Sequence, residues 1–115
     1  MSSSAYEQIA EAMRTRKPMA CVYDGRERAF CPIVLGHSQG QEKALVYQFA
    51  GSTSKGPLVA PEWKCFFVSK MHTIEIQHGT WRSGDLHRKP QSCVEIVDLD
   101  VNPSSPYSPA RRIDQ

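Results

Sequence analysis

Alternating apolar and polar positions predict that this chain is built mainly from short β-strands. The strongest pattern covers residues 63–71, where large apolar side chains alternate along a strand with cations placed among them. This alternation puts Lys64 on the opposite face of the strand from Trp63, Cys65 and Phe67. Two interpretations of Lys64 remain open: a lysine that snorkels at a sheet edge, and a cation that faces a ligand.

One amphipathic helix is predicted at the start of the chain, over residues 4–17. Ser4 and Glu7 have the spacing of a capping box, in which two side chains bond backbone N–H groups at the helix start. Pro18 disfavours helical geometry in the residue before it, so the helix should end near Lys17. The side chains expected to pack on the rest of the domain are Tyr6, Ile9, Ala10 and Met13.

Several further segments are typical of strands, and turn residues separate them. Asp24-Gly25 is typical of a two-residue hairpin turn, because both central positions of a type I′ turn need positive φ. Pro32 cannot donate to a sheet ladder, so it marks an edge position, a bulge or a bend. The strands predicted besides 63–71 are 19–23, 28–35, 44–49, 73–77 and 93–99.

Length and composition indicate one domain over residues 1–101 and an extended tail rich in proline and serine over residues 102–115. The turn-rich stretch 51–61 and the polar stretch 79–90 are expected to be loops. No apolar run approaches the roughly 20 residues needed to cross a bilayer, and the serine-rich start lacks a signal-peptide core. A cytoplasmic location is therefore expected, with no membrane partner.

The cysteines and histidines are scattered along the chain. Cys21, Cys31, Cys65 and Cys93 contain no C-x-x-C pair, so we expect four buried, reduced thiols rather than a disulfide or a metal site. No histidine has the spacing of a metal ligand, and no serine or cysteine is placed beside a histidine by a recognisable motif. We therefore expect no metal, no cofactor and no enzymatic activity.

A helix followed by about five or six short strands favours a mainly β fold, a small and strongly bent antiparallel barrel. Over roughly residues 6–78 the chain resembles the WYL domain of bacterial regulators. The motifs that carry the resemblance are Arg28-x-x-x-Pro32 and Lys64-x-Phe66-x-x-x-Lys70-Met71.

The sequence departs from the family pattern at several positions. Lys64 and Lys70 replace arginines, and Phe67 stands where the family has a further arginine. The triplet that names the family is absent, and its nearest counterpart is Leu45-Val46-Tyr47. Lysine offers a point charge where arginine offers two parallel hydrogen bonds, so a site here would bind its ligand less specifically.

The resemblance implies an Sm-like or SH3-like barrel that acts as a non-enzymatic ligand-sensing or regulatory module. Such a module would bind single-stranded nucleic acid or a nucleotide-like ligand, since bases stack on aromatic rings while phosphates meet cations. The alternative is a protein-interaction or oligomerisation module that binds no nucleic acid. A single helix cannot form a helix-turn-helix, so direct reading of a duplex is not expected. The candidate binding residues are Arg28, Tyr47, Lys64, Phe67 and Lys70.

Overall fold

The structure, a computed structural model, describes residues 3–53, 56–81 and 93–101, and this part is mainly β with one N-terminal helix. The predicted tail and most of the predicted loop 79–90 lie outside the described residues. The elements in chain order are α1 (Ser4–Thr15), β1 (Met19–Tyr23), β2 (Arg26–Ser38), β3 (Gln41–Thr53), β4 (Gly56–Pro57), β5 (Glu62–Phe67), a 3-10 turn (Val68–Lys70), β6 (Met71–Ile76) and β7 (Ile96–Asp100).

The strands form one curled antiparallel sheet, a half-barrel, which confirms the predicted fold class. The long β2–β3 hairpin is its centre. β1 and β7 pair with β2, whereas β4 and β5 pair with β3. β6 adds to the outer edge of β1. α1 packs against β2, β6 and the 3-10 turn. This helix of 12 residues is not long and apolar enough to cross a membrane.

The turn chemistry of the two hairpins explains their tight connections. Asp24 and Gly25 have φ values of 56° and 75°, as the sequence predicted for a turn with two left-handed residues. Gln39 and Gly40 form a second such turn with φ values of 53° and 80°, so β2 and β3 extend further than predicted. The β2–β3 register shifts after Pro32, which confirms the irregularity expected of a proline in a sheet.

The stretch 63–71, predicted as one strand, is two strands joined by the 3-10 turn. Phe67 at the end of β5 pairs with Lys43 of β3, whereas Met71 at the start of β6 pairs with Tyr23 of β1. The chain must therefore pass from one side of the half-barrel to the other within three residues. A single extended strand cannot make that crossing, so the alternation ends at Phe67.

The N-cap of the helix lies one residue before the predicted one. The N-cap is Ser3, whose Oγ accepts a hydrogen bond from the backbone N–H of Tyr6, and Ser4 is the first helical residue. The helix ends at Thr15 rather than Lys17, because Arg16 adopts the left-handed conformation and closes the last turn. All four apolar side chains predicted to face the domain are buried, namely Tyr6, Ile9, Ala10 and Met13.

A polar contact that the sequence did not reveal ties α1 to two strands. The Tyr6 hydroxyl donates a hydrogen bond to Asp98 Oδ2 of β7, and His37 Nδ1 of β2 lies 3.0 Å from the same oxygen. The Tyr6 and His37 rings stack with their centroids 5.6 Å apart. Burial of the phenol, followed by its hydrogen bond to Asp98, raises the pKa of Tyr6 above its ordinary value.

Replacing Ile9 with alanine should destabilise the fold, because Ile9 is fully buried between the helix and the sheet. We expect a loss of about 2 to 4 kcal/mol in the free energy of unfolding, measured by denaturant melts. Gln8→Ala on the exposed side of the same helix is the control and should change stability by less than about 0.5 kcal/mol. An Ile9→Ala loss no larger than the control's would contradict the packing.

Alkaline pH should weaken the fold through Tyr6. A phenol whose folded pKa is raised contributes its stability below the unfolded pKa of about 10 and loses it as the pH rises above that value. The free energy of unfolding should therefore fall more steeply above about pH 10 in the native protein than in Tyr6→Phe. Denaturant melts at pH 8 and above pH 10 measure the difference, and parallel profiles of the two proteins would refute it.

Candidate functional site

The pairing of β3 with β5 arranges one face of the sheet in three rows. The rows are Tyr47 opposite Trp63, Leu45 opposite Cys65, and Lys43 opposite Phe67. Side chains two residues apart on a strand point to the same side, so these six residues share a face. We call this surface the aromatic face. The first and last rows lie four residues apart along β3, about 13 Å at 3.3 Å per residue.

Phe67 lies at one end of the aromatic face with two lysines beside its ring. Lys43 Nζ lies 4.2 Å from the centroid of the Phe67 ring, and Lys70 Nζ lies 5.1 Å from it. Within the described residues, neither ammonium has a carboxylate at ion-pair distance. Both ammonium groups are thus within cation–π distance of the same ring.

The local backbone explains how these cations meet. Cross-strand pairing brings Lys43 to Phe67, and the 3-10 turn after β5 returns Lys70 to the same ring. The Phe67 N–H donates a hydrogen bond of 3.0 Å to the Tyr23 hydroxyl, which fixes the end of β5. Lys43 was not among the sequence-predicted residues, because only the β3–β5 register shows that it faces Phe67.

A second aromatic pair lies at the other end of the aromatic face. The Tyr47 and Trp63 rings are tilted by 57°, with centroids 5.2 Å apart. Trp63 is 37% exposed and Tyr47 is half-buried, so part of this pair meets solvent. Partly exposed aromatic rings are surfaces on which nucleobases stack.

Two of the five predicted residues lie away from the aromatic face. Lys64 is on the opposite side of β5, where its Nζ is 2.8 Å from Glu62 Oε2. Arg28 is only 5% exposed, and its guanidinium carbon lies 5.2 Å from the Tyr23 ring and 5.5 Å from the Phe66 ring. Arg28 Nε donates to the backbone oxygen of Tyr23 at 3.3 Å. The structure thus brings Phe67 and Lys70 into contact, puts Tyr47 on their face, and separates Lys64 and Arg28 from them.

The prediction of four reduced, buried cysteines was wrong for two of them. Cys65 and Cys93 form a disulfide with Cα atoms 5.6 Å apart, and Cys65 is exposed. Alternation placed Cys65 correctly on the face of Trp63 and Phe67, but that face is not the main core. Cys21 and Cys31 are buried and are not part of a disulfide, and burial raises the pKa of the Cys21 thiol to about 11. Cys21 is therefore not a reactive thiolate at neutral pH.

A cleft of about 330 Å³ lies elsewhere, where β1, β2 and β6 meet. The residues that line it include Ala20, Ala29 and Gly51, the carboxylates Glu27 and Glu75, and the predicted binding residue Arg28. Two carboxylates outnumber the one arginine in this lining, so the cleft suits a phosphate less well than the aromatic face does. In the described part of the chain, no group of three or more potential ligands could hold a metal ion.

Comparison with protein-family models, with curated proteins and with solved structures finds no match for this chain. The resemblance to WYL domains therefore stays a prediction from the sequence motifs. On the aromatic face, two cations and three aromatic rings share one side of the sheet.

Proposed function

We propose that the aromatic face binds single-stranded nucleic acid or a nucleotide-like ligand, and that the protein is a non-enzymatic regulatory module acting in the cytoplasm. The observation that carries this proposal is the Phe67 ring with Lys43 and Lys70 beside it, on the same face as Tyr47 and Trp63. Single-strand binders combine cations that follow the backbone with aromatic rings that stack the bases.

The charges of the described residues favour this face over other surfaces. Lys64 already has a carboxylate partner in Glu62, and Arg28 is buried beside two rings. Lys43 and Lys70 both lie beside the Phe67 ring, so their positive charges would attract a phosphate to this end of the face. Trp63 and Tyr47 lie about 13 Å away along β3, at the other end of the face, where a base could stack on their partly exposed rings.

A protein-interaction module remains the alternative, and particular observations favour it too. Val59 is 99% exposed and Ile96 is 62% exposed. In the described sheet, β5 and β6 each pair with one strand only, so each leaves an edge that another chain could extend. Binding through such surfaces would depend weakly on salt and would not require Lys43 or Lys70.

Removing the two lysines of the aromatic face should weaken binding to nucleic acid. We would titrate a fluorescent single strand of mixed sequence with the native protein and with Lys43→Ala/Lys70→Ala at several salt concentrations. Each phosphate contact contributes a slope of about −0.7 in log K against log salt, so losing two contacts should flatten the slope by about 1.4. Phe67→Leu should reduce affinity by about 1 to 3 kcal/mol of stacking with little change in slope.

The matched control is Arg14→Ala/Lys64→Ala, which removes the same charge from an exposed helix position and from the opposite side of β5. It should bind almost as the native protein does. Equal binding by native protein and Lys43→Ala/Lys70→Ala, or no binding at low salt, would refute the proposal. Association that rises with protein concentration and is insensitive to salt would then support the interaction module.

A further inference from the structure

The segment Cys93–Glu95 crosses the middle of the aromatic face. At one end, Cys93 is bonded to Cys65 of β5, and its Sγ lies 3.6 Å from the backbone oxygen of Ala44 on β3. At the other end, the N–H of Glu95 donates to the backbone oxygen of His37 on β2 at 3.0 Å. The segment therefore spans three strands, from β5 over β3 to β2.

Close packing under this segment shows that it covers the sheet. Leu45, in the middle row of the aromatic face, is 5% exposed, and Val94 is 1% exposed. A Cβ on Gly36 would lie 1.9 Å from the backbone oxygen of Ile96 and 2.7 Å from Val94 Cγ1, so glycine allows the start of β7 and the Val94 side chain to pack close to β2. The covered row separates the Tyr47–Trp63 pair from the Lys43–Phe67 pair.

The two sulfurs of the disulfide differ in access. Cys65 is exposed on an edge strand, whereas Cys93 is 7% exposed. The row of Cys65 is also next to the Lys43–Phe67 row, and nearby cations favour a thiolate over a thiol. Exposed cysteines near positive charge are the ones that exchange with small thiols and disulfides.

We propose that Cys65 and Cys93 form a reversible redox couple that controls nucleic-acid binding to the aromatic face. In the oxidised state the disulfide clamps the segment 93–95 across the aromatic face, so a single strand of nucleic acid can occupy only one end of the face. In the reduced state only packing and the Glu95–His37 hydrogen bond hold the segment, so it opens more often, which joins both ends into one site. This inference rests on the proposed function of the aromatic face.

The chemistry requires a small disulfide as oxidant, and glutathione disulfide is the probe. The Cys65 thiolate attacks one sulfur of glutathione disulfide, which forms a mixed disulfide and releases one glutathione thiolate. The Cys93 thiolate then attacks Cys65 Sγ and displaces the second glutathione. Two electrons pass from the protein dithiol to glutathione disulfide, and the two protons end on the two glutathione thiols. Reduced glutathione drives the reverse reaction.

The first measurement tests the couple and the clamp without any nucleic acid. Alkylation after denaturation should count two thiols in protein equilibrated with glutathione disulfide and four after reduction. The Glu95 amide, which donates to His37, should exchange its hydrogen at least tenfold faster in the reduced protein. Four thiols under oxidising conditions, or equal exchange in both states, would overturn the proposal.

The second measurement compares single-strand binding by the oxidised and reduced protein. Reduction should tighten binding about tenfold, corresponding to about 1.4 kcal/mol. Cys65→Ser/Cys93→Ser should bind like the reduced protein in either buffer, and it also controls for direct effects of the reductant. Cys21→Ala, which leaves the disulfide in place, should keep the redox response.

The outcomes separate this inference from the function on which it rests. Equal binding by both redox states would overturn the proposed redox regulation while leaving nucleic-acid binding in place. If neither redox state binds nucleic acid, the proposed function and its redox regulation are both overturned. This holds even where hydrogen exchange at the Glu95 amide shows that the clamp opens. Tighter binding in the oxidised state would also overturn the proposal, since it would mean that the disulfide organises the face instead of dividing it.

Discussion

The register of the β2–β3 hairpin is the constraint on which the rest of the structure depends. Four of the other five strands pair with one of these two, so each takes its position from this hairpin. A shift of one residue would move every side chain of a strand to the opposite face. The irregularity after Pro32 adjusts β2 against β3 without changing the pairs Lys43–Phe67 and Tyr47–Trp63 on the other side of β3. The aromatic face is thus a consequence of a hairpin whose own residues mostly form the core.

The core and the candidate site share β5 through two adjacent phenylalanines. Phe66 points inward, where its ring stacks on Tyr23 at 4.1 Å and meets Phe30 edge-on at 5.5 Å. Phe67 points outward, and its N–H is bonded to the hydroxyl of the same Tyr23. Packing of the inner ring therefore positions the outer one. Arg28 belongs to this inner cluster, so it supports the end of β5 from behind the aromatic face.

Local patterns predicted those features that depend on neighbouring residues in the chain. Alternation placed Trp63, Cys65 and Phe67 on one face, and helical spacing identified the buried side of α1. The cap was misplaced by one residue because consecutive serines offer equivalent oxygens. Lys43 and Cys93 could not be found in this way, since each meets β5 through pairing or crossing between segments more than 20 residues apart. The break after Phe67 was missed for a related reason: a strand carries no local signal that its partner is about to change.

Local geometry matters more than overall charge for what this surface can bind. The formal net charge is only +2, and exposed charges are screened beyond about 8 Å at physiological ionic strength, so the whole molecule exerts little long-range attraction on a polyanion. Lys64 is paired with Glu62 and Arg28 is buried, whereas Lys43 and Lys70 lie beside the Phe67 ring on this face. Both ammonium groups lie within about 5 Å of the centre of that ring. A site of this kind favours short contacts of modest strength. The segment that crosses its middle row determines how many of those contacts one strand of nucleic acid can make at once.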